Sequence, residues 1–171
     1  MLRINDVVMY ADIRYRILVV SDTQYTWIDI DSDKAFPEQI PLSEVDAEIL
    51  SEALRKVEDP FLHLAAQLPE QGSTAQKVRD KRLAAIEMLI NHPDIYYRTG
   101  RGALIQQAVE ASGSAKKTLY SHLRQYWQRG CTPNALLPDY DNSGARGEKR
   151  ATSDKKLGRP RSIAPGTGAI I

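Results

Sequence analysis

The hydrophobic pattern changes its period once along the chain, and this change limits the folds that the chain can adopt. In residues 13–17 apolar and charged side chains alternate, and residues 25–30 are rich in aromatic and β-branched types. Both segments are typical of strands, and with the apolar residues 7–9 they predict a meander of three or more strands. From residue 75 onward apolar residues recur at helical spacing. The predicted fold class is therefore α+β.

A sheet this small needs a cover, and the next segment is predicted to supply it as a helix. Ser43 and Asp46 resemble a capping box, and Asp59–Pro60 would end the helix. The apolar stripe of this helix would comprise Val45, Ile49, Leu50, Leu54 and Val57. Residues 69–73 have the composition of a linker. The first predicted domain is thus a small β-rich module with one helix over residues 1–72.

Three further helices are predicted, over residues 75–91, 101–111 and 114–129. Asn91–His92–Pro93 ends the first, because the residue before a proline avoids the helical region. Ser112–Gly113–Ser114 is predicted to form a tight turn in which Ser114 caps the last helix. The buried stripe of that helix would be Ala115, Leu119, Leu123, Tyr126 and Trp127. The second predicted domain covers residues 73–131.

Two helices joined by a turn at Gly113 have the outline of a helix-turn-helix, which makes the last helix a candidate DNA reader. Its outward face is predicted to carry Lys116, Lys117, Tyr120, Ser121 and Arg124. Lysines in a first turn oppose the helix dipole, so their presence indicates a polyanion at this end. The alternative is a basic, solvent-exposed helix in an ordinary bundle.

Each side chain on this face has an expected role. Lys116, Lys117 and Arg129 would contact phosphates. Arg124 would read guanine, because a guanidinium matches the O6 and N7 edge of that base. Tyr120 and Ser121 would touch a thymine methyl group, a base edge or a phosphate.

The charge distribution supports contact between the second half of the chain and a polyanion. The net charge is +1, but residues 1–72 hold 6 Lys and Arg against 14 Asp and Glu, whereas residues 73–171 have a net charge of +9. Residues 111–138 contain no Asp or Glu. The acidic first module is expected to serve a structural or protein-contact role, with DNA contact through Arg3, Arg14 and Arg16 as the alternative.

Residues 132–171 are predicted to form an extended linker, because this segment has little apolar content with which to build a core. Gly158–Arg159–Pro160–Arg161 is similar to the core of an AT-hook, which lies in a narrow minor groove. The basic residues expected to contact DNA here are Arg146, Lys149, Arg150, Lys155, Lys156, Arg159 and Arg161.

Several other classes of protein receive no support from the sequence. A single cysteine, Cys131, excludes an internal disulfide, and His63, His92 and His122 are scattered without metal-ligand spacing. No phosphate-binding glycine loop, dinucleotide fingerprint or nucleophile elbow occurs. No apolar run approaches the ~18 residues of a membrane span, and no secretory signal is seen. We expect no catalytic site and a cytoplasmic location.

A specific resemblance emerges in residues 124–140, RQYWQRGCTPNALLPDY, and continues in NSGA at residues 142–145 and GE at residues 147–148. This stretch resembles the N-terminal DNA-binding region of TnsB-type transposases, relatives of Mu-type transposases and retroviral integrases. Residues 4–8, 15–18 and 59–64 are also similar to that family. The resemblance implies binding of the repeated sequences at transposon ends. It also implies a catalytic domain of RNase H-like fold, in which two Asp and one Glu hold two Mg²⁺ ions.

No acidic residue of this chain can be assigned to that triad, so we expect a DNA-binding fragment that neither cuts nor joins DNA and holds no cofactor itself. Its expected partners are double-stranded transposon-end DNA, further transposase subunits and other transposition proteins, and it would associate with the nucleoid when bound. A helix-turn-helix transcription regulator is the main alternative function. An adaptor that docks through the acidic module is a third.

Overall fold

A computed structural model describes residues 2–139 of the chain. The strands are β1 (Val7–Tyr10), β2 (Ile13–Val20), β3 (Gln24–Asp29), β4 (Glu38–Pro41) and β5 (Leu54–Val57). The helices are α1 (Leu42–Leu50), α2 (Leu62–Ala66), α3 (Thr74–Ile90), α4 (Arg98–Ser112) and α5 (Lys116–Gln128). Short 3₁₀ turns lie at Pro93–Tyr96 and Pro133–Leu136. The predicted α+β class is confirmed.

The strands form one antiparallel sheet in the order β4-β3-β2-β1-β5. β1 and β2 are joined by a two-residue turn in which Ala11 and Asp12 both have positive φ, 48° and 61°. Such a turn matches the right-handed twist of the paired strands. The predicted meander of three strands is confirmed and is extended by one further strand at each edge.

Both faces of β2 and β3 are buried, because successive side chains on a strand point to opposite faces. The five strands and α1 are called the β module below. Ile17 and Trp27 point into its core, together with Val45 of α1. Leu18 and Ile28 point the other way and belong to the core of the helices. One face of the sheet therefore packs against α1, and the other face packs against the helices of the second half of the chain.

The predicted helix over residues 43–57 is shorter than expected. Its first half is α1, but its second half is strand β5, which pairs with β1 so that Leu54 lies opposite Tyr10. Glu52, at φ 61°, turns the chain between the two. The predicted capping box is also wrong, because Pro41 is the N-cap and no side chain caps the helix. Tertiary pairing thus overrides the helical spacing.

The three later helices are confirmed, with a small correction at the last turn. α4 ends at Gly113, whose φ of 66° suits glycine, and the amide of Gly113 donates to the Val109 carbonyl at 2.9 Å. Ala115, not Ser114, is the N-cap of α5, and Ala115 is exposed where burial was predicted. The buried stripe of α5 comprises Leu119, Leu123 and Trp127.

The chain after α5 returns to the helical core, which contradicts the expected extended linker for residues 133–137. Ala135, Leu136 and Leu137 are buried against the helices. The Arg82 side chain donates to the Leu136 carbonyl at 3.1 Å, and the Gln125 amide donates to the Leu137 carbonyl at 3.2 Å. Three apolar side chains are enough here, because α3 and α5 together form the surface against which this turn packs.

Residues 1–138 form one compact unit in which the sheet and the helices are joined. Asn134 helps to hold this unit together, because its side-chain amide donates to the Leu64 and Gln67 carbonyls at 2.9 and 2.7 Å. This ties α2 and the segment that follows it to the last 3₁₀ turn.

Candidate nucleic-acid interface

The pair α4 and α5, joined by a turn at Gly113, forms a helix-turn-helix supported by α3. Leu119, Leu123 and Trp127 are spaced four residues apart and therefore lie on one face of α5, where they are fully buried. The opposite face of α5 is exposed to the solvent in the N-terminal half of the helix. In the C-terminal half, another element of the described residues covers it.

The N-terminal half of α5 is open. Lys116, Lys117, Thr118 and Ser121 are exposed, and the first turn carries no acidic residue. Three of these four were predicted from the sequence, and Thr118 was missed although it lies next to both lysines. The first turn of α5 thus exposes two ammonium groups and lacks carboxylates, and two hydroxyl groups lie beside them. Such a surface can bind a polyanion that also offers hydrogen-bond donors and acceptors.

The C-terminal half of α5 is covered by the connection between β3 and β4. The Arg124 Nε–H donates to the Ala35 carbonyl at 2.9 Å. The side-chain amide of Gln128 donates to the carbonyls of Asp29 and Ser32 at 2.8 and 2.7 Å. Arg124 was expected to share the open face, whereas the structure places it against this connection. Its base-reading role stays a prediction.

Phe36 lies in the same connection and contacts both helices of the helix-turn-helix. The Arg101 guanidinium lies 4.9 Å from the centre of its ring, and the Arg124 guanidinium lies 5.1 Å from it. The Tyr120 ring meets Phe36 edge-on, at 5.4 Å and 83°. Tyr120, predicted on the open face, is thus half-buried against Phe36.

Arg101 anchors this arrangement from the α4 side. Its side chain is buried, and burial lowers the pKa of its guanidinium. It donates to the carbonyls of Ile95 and Tyr96 at 2.9 and 2.8 Å. Neither Arg101 nor Phe36 was identified from the sequence. The available signal was an aromatic residue in a loop, in a chain with only two phenylalanines.

Most arginines in residues 73–139 point toward the protein, whereas the lysines of this segment are exposed to the solvent. Arg79 bonds to Asn134 at 3.0 Å, Arg82 bonds to the Leu136 carbonyl at 3.1 Å, and Arg129 lies over the Phe61 ring at 5.6 Å. The exposed cations of the helices are Lys77, Lys81, Arg98, Lys116 and Lys117. The weakly hydrated, planar guanidinium suits such internal contacts better than an ammonium group does. Within residues 73–139, the number of cationic residues therefore overstates the exposed positive surface.

In the β module, the arginines offered as alternative DNA contacts differ from one another. Arg16 is fully buried, so the expectation that it contacts DNA is wrong. Arg14 pairs with Asp31, its Nε–H donating at 2.9 Å. Arg3 is exposed.

The predicted linker over residues 132–171 is called the tail below, and its basic residues predicted to contact DNA lie outside the described residues. They are Arg146, Lys149, Arg150, Lys155, Lys156, Arg159 and Arg161. The AT-hook-like segment is among them, so its role stays a prediction.

Residues 2–139 carry neither a metal site nor a membrane-spanning helix. No group of three His, Cys, Asp or Glu side chains there could hold a metal ion. Burial raises the pKa of the Cys131 thiol to about 12, which keeps it protonated at neutral pH. No helix in this part of the chain is long and apolar enough to cross a membrane.

The fold and the interface together define a helix-turn-helix protein whose second helix is held by a small antiparallel β module. Residues 1–60 match the family model of the TnsB N-terminal SH3-like domain, and residues 79–140 match that of the TnsB second domain. The chain is 39% identical over 173 aligned positions to the transposon Tn7 transposition protein TnsB of Escherichia coli. That alignment covers 100% of this chain and 24% of the relative's length. The chain belongs to the TnsB family.

Proposed function

We propose that this chain binds double-stranded DNA at transposon ends through the N-terminal half of α5. The observation that carries the proposal is the pair Lys116 and Lys117, exposed in an acid-free first turn directly after a helix-turn-helix turn. In such folds the start of the second helix enters the major groove. Membership in the TnsB family supports transposon ends as the DNA that is bound.

The roles within the helix follow from the chemistry of its side chains. Lys116 and Lys117 neutralise phosphates, which gives an affinity that falls as salt rises. Ser121 and Thr118, one turn apart on the open face, reach base edges with hydroxyl groups that both donate and accept. Phosphates fix the register, and the base edges select the sequence.

The tail adds a second contact in this proposal. Gly158–Arg159–Pro160–Arg161 enters the minor groove beside the helix-turn-helix site, because proline keeps the chain extended and arginine is attracted to narrow A·T-rich grooves. An arm that reaches the neighbouring minor groove is an arrangement that helix-turn-helix variants use. The other basic residues of the tail contribute phosphate contacts along the way.

This region recognises DNA ends in the proposal, and the breaking and joining of strands belong to a catalytic domain outside the residues described above. The two Mg²⁺ ions would be held by the carboxylates of that catalytic domain. Partners would be further transposase subunits and other transposition proteins on the same DNA, and the bound protein would lie on the nucleoid. Family membership does not favour the alternative of a transcription regulator.

Binding to a fluorescent transposon-end duplex, compared with a scrambled duplex of equal composition, tests the proposal. The double variant Lys116→Ala/Lys117→Ala should weaken binding to both duplexes. It should also reduce the slope of log K against log salt by about 0.9 for each phosphate that the protein no longer neutralises. Footprinting should reveal protection within the transposon ends.

The double variant Lys77→Ala/Lys81→Ala is the matched control, because it removes the same charge from exposed lysines on α3. It should leave both the affinity and the slope nearly unchanged. Equal decreases in affinity for the two double variants would mean that the net charge of the protein, and not the position of the lysines on α5, determines the affinity. A protected site in promoter DNA but none at a transposon end would favour the regulator instead.

A further inference from the structure

The connection between β3 and β4 follows α5 in the opposite direction along most of its length. Asp29 and Ser32 accept hydrogen bonds from Gln128 near the end of the helix, and Ala35 accepts one from Arg124 a turn earlier. Phe36 then contacts Tyr120. The β module thus contacts α5, the second helix of the helix-turn-helix, at three successive turns.

Phe36 joins the two helices of the helix-turn-helix as well. The guanidiniums of Arg101 on α4 and of Arg124 on α5 both lie over its ring, at 4.9 and 5.1 Å from the ring centre. A guanidinium over an aromatic face is held by the ring quadrupole, and two such interactions on one ring limit how the helices can shift. The Phe36 side chain is still 38% exposed, so hydrophobic burial alone does not account for its position.

We propose that Phe36 and Arg124 are positioning residues for sequence recognition, which rests on the DNA-binding function proposed above. The Nε–H of Arg124 is bonded to Ala35, and its plane lies against Phe36. Arg124 therefore acts on DNA through Phe36, by fixing the tilt of α5. The β module, acidic as a whole, contributes to recognition by holding the open face of α5 in register with the bases.

Breaking the Phe36–Arg124 interaction affects specific binding more than non-specific binding. Hydrogen bonds to base edges depend on direction, and a small tilt of the helix misaligns them. Lysine–phosphate attraction is long-ranged and tolerates the same tilt. The expected signature is a fall in the ratio of affinities for transposon-end and scrambled DNA, with the salt dependence unchanged.

A double-mutant cycle on the full chain tests the inference. Phe36→Leu keeps apolar bulk and removes the ring face, Arg124→Ala removes the guanidinium, and the double variant removes both. Each single variant should lower the affinity ratio about tenfold, the scale of one misread base. The double variant should be no worse than either single variant, because both break the same interaction. Phe36→Tyr, which keeps the ring, should restore the ratio.

The control is Leu50→Ala, which removes a side chain that is 86% exposed on the β module away from α5, and it should leave the ratio unchanged. Circular dichroism and thermal melting establish that each variant is folded. Additive effects in the cycle, or a fall in the ratio with Arg124→Ala and none with Phe36→Leu, would show that Arg124 reads bases directly and would overturn the inference. If Lys116→Ala/Lys117→Ala binds every duplex as the parent chain does, the proposed function fails, and the inference fails with it.

Discussion

The guanidinium of Arg16 on β2 donates two hydrogen bonds, of 2.9 and 2.7 Å, to the carboxylate of Asp59, although the two residues are 43 positions apart in the sequence. The same guanidinium donates to the Gln128 carbonyl at 3.1 Å, at the end of α5. Arg16 is fully buried, and the Asp59 side chain is 19% exposed. One side chain thus connects the sheet, the segment after β5 and the helix that is proposed to read DNA.

Asp59→Asn should destabilise the protein by about 2–4 kcal/mol, because it leaves the buried Arg16 charge without its counter-ion. Asp31→Asn is the matched control, since it breaks the more exposed Arg14–Asp31 pair and should cost less than about 1 kcal/mol. Urea unfolding of the three proteins measures both values. Equally small effects in the two variants would mean that the buried pair contributes no more than a surface pair.

Acid should destabilise the protein through the same carboxylate. Burial opposes ionisation of Asp59, but the hydrogen bonds from Arg16 and from the Phe61 amide outweigh it, so its pKa lies below the ordinary 3.8. A carboxyl whose pKa is lower in the folded state stabilises the fold above its unfolded pKa, and this contribution is lost as the pH falls through the folded value.

The free energy of unfolding, measured from pH 6 down to pH 2.5, should therefore fall below about pH 4. In Asp59→Asn that fall should be shallower, because one of the responsible groups is gone. Asp6, whose pKa is also lowered, retains part of it. Parallel curves for the parent chain and the variant would contradict the assignment.

Sequence periodicity was sufficient for the fold class, because strands such as β2 and helices such as α3 carry strong local patterns. It failed where a local pattern suits two structures. Leu54 and Val57 continue the helical stripe of α1, yet strand pairing with β1 decides their state. Ala135 and Leu136 were too few to signal a core, because the groove that buries them is built by distant residues.

The candidate interface was predictable only in part for a similar reason. Lys116, Lys117 and Ser121 are exposed, and helical spacing alone places them together. Spacing does not reveal which face of a helix another domain covers, so it placed Arg124 on the open face. Whether an arginine is exposed or bonded depends on carbonyl groups such as that of Ala35, which carry no sequence signature.

Deletion of residues 155–162 should weaken DNA binding most where the flanking DNA is A·T-rich. Arginines inserted into a minor groove gain from the narrow, strongly negative grooves of A-tracts, whereas phosphate contacts do not depend on sequence. Affinities of the deleted and complete chains for duplexes with A·T and G·C flanks measure the difference. An equal decrease on both flanks would identify the tail as a phosphate-binding arm.

Gly100 and Gly102 lie in the same helix, α4, and alanine should have opposite effects at the two positions. A Cβ on Gly100 would lie 2.7 Å from the Asp94 Cβ and 3.2 Å from the Asp94 carbonyl oxygen, both fixed by the preceding 3₁₀ turn. A Cβ on Gly102 would meet nothing within 4 Å. Alanine improves helix propensity equally at both positions, so the comparison isolates the steric cost.

Gly102→Ala should stabilise the protein by up to about 1 kcal/mol, which is the difference in helix propensity. Gly100→Ala should destabilise it by about 1–2 kcal/mol, because the start of α4 must move away from Asp94 and the overpacking outweighs the gain in propensity. Thermal melting of both variants decides between these signs. Stabilisation in both would mean that the 3₁₀ turn yields at little cost, and that α4 does not need glycine to approach it.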